Sequence, residues 1–101
     1  MTNLEYKERV RAQQYIETIL RALPREPIAL GDTVVCLWGI YANSQLEVTT
    51  VQLRIGVVYV RPESSTRSFA IALSDVYHDQ DYLMAYYIVE RRKQLIHMLL
   101  P

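Results

Sequence analysis

The sequence predicts an α+β fold: a single compact domain over residues 1–101, in the order helix, three-stranded antiparallel meander, helix (α-β-β-β-α). Three observations predict it. An opening segment with helical spacing of apolar residues stops at Pro24. A stretch rich in β-branched and aromatic residues follows from Thr33, broken by polar turns. A closing segment from Asp79 to Leu100 contains neither glycine nor proline.

The first helix is expected to start at Thr2, because Thr2 and Glu5 have the spacing of a capping box. Val10, Ile16, Ile19, Leu20 and Leu23 then recur at helical intervals, and Glu5/Arg9 and Glu17/Arg21 are Glu-first pairs one turn apart. The half from Glu5 to Gln14 is the more polar, as expected of a helix whose early turns project into solvent. Pro24-Arg25-Glu26-Pro27 reads as a rigid connector. Its PxxP spacing sits beside a helix end, where it lacks the freedom an extended recognition ligand needs.

Thr33 to Tyr41 is apolar on both alternating sets, so a strand there needs cover on both faces. Ala42-Asn43-Ser44-Gln45 offers a turn, and Leu46 to Arg61 a long second strand. Its apolar phase slips between Val48 and Val51, which predicts a bulge near Thr49 and Thr50. Past that point Val51, Leu53, Ile55, Val57 and Tyr59 are expected to share one side. Arg61 to Ser68 is a polar loop, after which Phe69, Ile71 and Leu73 alternate with Ala70, Ala72 and Ser74 as a third strand.

The closing segment opens with Asp79 and Asp81 and carries Arg91, Arg92, Lys93 and His97 later, the charge order that suits a helix dipole. Leu83 to Val89 is apolar through two whole turns, and a strand is the competing reading there. Leucine, methionine and alanine content and unbroken length favour helix. A helix apolar all round needs more than one cover. The second cover is expected to be another copy of the chain, packed on Tyr82, Tyr86, Tyr87, Ile88 and part of the sheet around Trp38; packing within one chain is the alternative.

Eleven basic and eleven acidic side chains cancel, so no long-range field gathers nucleic acid or anionic membrane. Cys36 is the one cysteine, which excludes an internal disulfide or a cysteine zinc cluster and fits a reducing compartment. With no apolar run of membrane-spanning length and no secretory pattern after Met1, a cytoplasmic location is expected.

Four groups of residues are candidates for chemistry. Asp75, His78, Asp79 and Asp81 gather a histidine and three carboxylates between a strand and a helix, as an acid/base or metal site does. Turn and helix-cap roles use the same residue types. Cys36 with His78 or His97 is a nucleophile and base on paper, but an apolar strand makes the thiol a core group. Arg91, Arg92 and Lys93 follow Tyr86 and Tyr87, a basic and aromatic cluster suited to nucleic acid with Arg54, Arg61 and Arg67 as helpers; three consecutive helical positions nevertheless point in different directions. The loop from Arg61 to Ser68 brackets hydroxyls with arginines, a composition for holding an anion or a phosphoryl group. There is no nucleophile elbow, P-loop, HExxH or dinucleotide fingerprint.

The expectation is therefore a small non-enzymatic protein-protein interaction module (an adaptor, inhibitor or immunity-type protein) that acts by occluding a surface, as a homodimer, with no cofactor or metal. A nucleic-acid-binding regulator and a small enzyme using His78 and Asp75 are the rivals.

Overall fold

The computed structural model of the chain describes residues 2–99, with side chains through residue 94, so the His97 side chain and Leu100 lie outside the described residues. The fold is α+β, with two helices and a five-stranded antiparallel sheet. It divides into two compact units. A sheet unit spans Arg25–Asp79, and a helical unit is formed by the segments up to Pro24 and from Gln80.

In the helical unit, α1 runs from Asn3 to Ala22 and α2 from Asp79 to Leu99. The capping box forms: Glu5 N donates to Thr2 Oγ1 at 3.2 Å and Thr2 N donates to the Glu5 carboxylate at 3.4 Å. Removing the hydroxyl with Thr2→Ala is expected to cost the helix start about 1 kcal/mol. The check is faster amide exchange confined to the first turn. Leu23, the residue before Pro24, is extended and ends α1, because proline disfavours helical backbone in its predecessor. Ile16 and Leu20, one turn apart, are the buried residues of α1. Glu17 and Arg21 pair at 3.0 Å, and residues 2–9 are exposed, the apolar Leu4 and Tyr6 among them. In α2 the segment Leu83–Val89 is helical, and Tyr82, Ala85 and Val89 are buried. The Arg92 guanidinium lies 5.7 Å from the centre of the Tyr15 ring, a cation–π contact between the helices.

The expected three-stranded meander is corrected to five strands: β1 Thr33–Cys36, β2 Leu46–Gln52, β3 Val57–Pro62, β4 Phe69–Ala72 and β5 Val76–His78, in the order β4-β3-β2-β1-β5. Three local features account for the difference. The strand expected through Tyr41 stops at Cys36, where Gly39 (φ 98°) and Asn43 (φ 66°) turn the chain and Asn43 N donates to Cys36 O. The long second strand is cut by a single 3₁₀ turn, Leu53–Ile55, closed by Gly56 in the left-handed region. A second 3₁₀ turn, Leu73–Asp75, replaces the end of the expected third strand and delivers β5 to the free side of β1.

The expected bulge is present: the β2–β3 register shifts between Val48 and Thr50. The extra residue brings Val51 to the face that already holds Leu46 and Val48, and Thr49 fills the gap by donating to Tyr59 O at 3.2 Å. The 3₁₀ turn also resets the phase of β3. Val58 and Val60, not Val57 and Tyr59, are fully buried. The core of the sheet unit is thus Val34, Cys36, Leu46, Val48, Val58, Val60 and Val76, with Ile28, Phe69, Ile71 and Leu73 packed against it.

The connector is strapped to the end of the sheet. The Arg25 guanidinium donates to the carbonyls of Leu73 (3.1 Å), Ser74 (3.3 Å) and Val76 (2.6 Å) and stacks on the Tyr77 ring at 4.9 Å. The proline-flanked segment is therefore held, not offered as a free ligand.

Candidate interaction surface

Successive helical residues are rotated by about 100°. Tyr82, Ala85 and Val89 accordingly share a narrow arc of α2, and that arc is buried. Leu83, Met84, Tyr87 and Ile88 occupy the opposite side, and all four are substantially exposed, at 41%, 43%, 68% and 49%. A helix needs one apolar stripe to fold onto its own core; α2 has two. Tyr86 lies between them, its ring centre 6.2 Å from that of Tyr82 and 6.1 Å from that of Tyr87, so a tyrosine row leads from the buried arc to the exposed one.

Of the residues expected at an interface, Tyr86, Tyr87 and Ile88 are on or beside this stripe, whereas Tyr82 is 8% exposed and belongs to the buried arc. Trp38 is half exposed on the β1–β2 loop of the sheet unit, beside Ile40 and near Tyr41, which stacks on Phe69 at 5.1 Å. Leu83 and Met84 are not among the contact residues expected from the sequence. Their spacing with Tyr87 and Ile88, two adjacent rows of i and i+4, is the signal that identifies them.

His78 and the acidic residues near it have different surroundings. His78 Nε2 is 3.2 Å from the carbonyl oxygens of both Glu26 and Pro27, and its Nδ1 is 3.9 Å from Asp32. Asp32 itself accepts from Ala29 N at 2.8 Å. Asp79 accepts from the Gln45 amide at 3.0 Å, Asp75 is exposed in the second 3₁₀ turn, and Asp81 lies in the first turn of α2. Histidine thus fastens the connector to β5 beside Arg25. Among the described residues, no three of His, Cys, Asp and Glu are grouped as metal ligands would be.

Cys36 is buried, and its thiol donates weakly to Tyr41 O at 3.7 Å. Burial is the largest influence on it and pushes its pKa up; a backbone hydrogen bond opposes this and the charge of Asp75 adds to it. A buried thiol with a raised pKa makes a poor nucleophile.

The basic residues are dispersed. Arg91, Arg92 and Lys93 are all exposed but point in three directions around α2. Arg92 covers Tyr15, and Lys93 pairs with Glu90 at 3.3 Å. Arg54 and Arg61 sit at opposite ends of β3, and Arg67 is exposed in the β3–β4 loop. Arg61 pairs with Glu47 at 3.2 Å in the wall of an open cleft of about 440 Å³ that Glu63, Gln45, Thr33 and Ser65 also line. Two carboxylates against one guanidinium suit that cleft poorly to an anion.

No helix among the described residues is long and apolar enough to cross a membrane. Comparison of the chain with models of known protein families, with curated proteins and with solved structures finds no match.

Proposed function

We propose that the protein is a non-enzymatic protein-protein interaction module of adaptor or inhibitor type, which acts by occluding a surface and associates with itself through the outer stripe of α2. The observation that carries this reading is the exposure of Leu83, Met84, Tyr87 and Ile88 on the side of α2 opposite its buried arc. Tyrosine and methionine suit the role, because they combine large apolar contact area with adaptable or polar ends. The dispersal of the basic residues and the structural employment of His78 favour this reading over a nucleic-acid regulator or an enzyme. A single buried thiol suits a cytoplasmic setting, where it stays reduced.

Sedimentation equilibrium tests the proposal. The wild-type protein is expected to gain mass with concentration across the micromolar range, and Tyr87→Glu combined with Ile88→Glu to remain a monomer with unchanged helical circular dichroism. A wild type that keeps the mass of one chain throughout that range would end the self-association reading.

A further inference from the structure

We infer that the outer stripe of α2 packs antiparallel on the same stripe of a second copy, about a two-fold axis at the level of residue 86 along the helix, with Asp81 of each copy set against Arg91 of the other. The inference rests on the reading of α2 as the interaction surface, and it supplies the occupant and its orientation.

Charge carries the argument. Most of the charges that flank the stripe are already engaged within the chain: Asp79 by Gln45, Arg92 by Tyr15, and Lys93 and Glu90 by each other. Asp81 and Arg91 have no such partner among the described residues. They stand at the two ends of the stripe, ten positions apart in the sequence, or about 15 Å along the helix axis.

Two helices pairing in parallel would set Asp81 against Asp81 and Arg91 against Arg91. Antiparallel pairing sets opposite charges together at both ends, and it also opposes the two helix dipoles favourably. Like-charge juxtaposition is what fixes orientation at such interfaces.

Position carries the register. Asp81 and Arg91 lie equally far from residue 86, and so do Met84 and Ile88. One axis therefore satisfies the charge pairs and the Met84–Ile88 contacts together, with Leu83 and Tyr87 centred one position earlier. Met84 and Ile88 fall on the same side of the stripe, where antiparallel helices bring like flanks into contact. An interface made by one helix from each copy is small, and small interfaces belong to weak, exchanging complexes, so dissociation in the micromolar range is expected.

Charge exchange tests the arrangement on the full chain. Asp81→Arg alone and Arg91→Asp alone each place like charges at both ends, and each is expected to weaken dimerisation by about tenfold or more. An equimolar mixture of the two variants restores both pairs and is expected to form heterodimers as tight as the wild-type homodimer, read by native mass spectrometry and sedimentation. Recovery in the mixture also shows that neither variant lost the helix.

If Arg91→Asp dimerises as the wild type does, or if the mixture stays monomeric, the antiparallel register is overturned while self-association through α2 stands. If the wild type is monomeric, both the register and the reading beneath it are overturned.

Discussion

Replacing Leu46 with alanine is expected to destabilise the sheet unit by about 2–5 kcal/mol, a large part of the 5–15 kcal/mol typical of a small domain. Leu46 is 1% exposed and lies where β1, β2 and β3 meet, opposite Val34 on one side and Pro62 on the other. The core around it is mostly valine: Val34, Val48, Val58, Val60 and Val76. Valine is stiff at χ1, so these neighbours cannot swing into the space that three lost carbons would leave. The cavity therefore stays open, which places the cost toward the upper part of the range. Trp38, the sole tryptophan, belongs to the sheet unit and gives a local fluorescence signal for urea unfolding. Leu53→Ala is the control. Leu53 is 75% exposed in the 3₁₀ turn, and its loss is expected to change stability by no more than about 0.5 kcal/mol. Equal effects at the two positions would refute this account of the core.

The helices are legible in the sequence because their signals are local. Thr2 and Glu5 define a start, Pro24 a stop, and the absence of breakers after Asp79 a length. The β-bulge is legible for the same reason, since a one-residue phase slip shows directly in the pattern from Val48 to Val51. The strand count is not. Val76–His78 is three residues long and pairs with β1, forty or more positions earlier, so no periodicity within the segment announces it. Leu53 and Ile55 continue a strand-like alternation, yet Gly56 turns the chain there; tertiary pairing overrides local propensity.

The same limit governs the sites. His78 and its carboxylates are neighbours in sequence, but their partners are Glu26, Pro27, Asp32 and Gln45, brought in by long-range folding. In α2 the apolar run is plain, whereas which side of it is buried depends on packing. Residue type alone therefore groups Tyr82 with Tyr86 and Tyr87, and the i, i+4 spacing that joins Leu83 and Met84 to Tyr87 and Ile88 marks an outer stripe only once the buried side is known.

Arg25 is expected to show the second large effect: Arg25→Ala should lower the stability of the sheet unit by about 1.5–3 kcal/mol, the range for hydrogen bonds made by a charged group. Its guanidinium reaches three carbonyls, those of Leu73, Ser74 and Val76, and stacks on Tyr77. Only part of this contact is sheltered from water, which keeps the expected value below that of the Leu46 cavity. Arg25→Lys separates charge from geometry. An ammonium group keeps the charge but lacks the planar fork, so it cannot reach three carbonyls and lie flat on the tyrosine at once. Lysine is accordingly expected to recover less than half of the loss. Unfolding followed through Trp38, together with amide exchange across residues 76–78, measures both variants. β5 is short and forms an outer edge of the sheet, and short edges open first when their cover is removed. Exchange in β5 should therefore rise more than in β3, which is paired on both sides. If the lysine variant matches the wild type, the strap works by charge alone and the planar shape of the guanidinium contributes nothing to it.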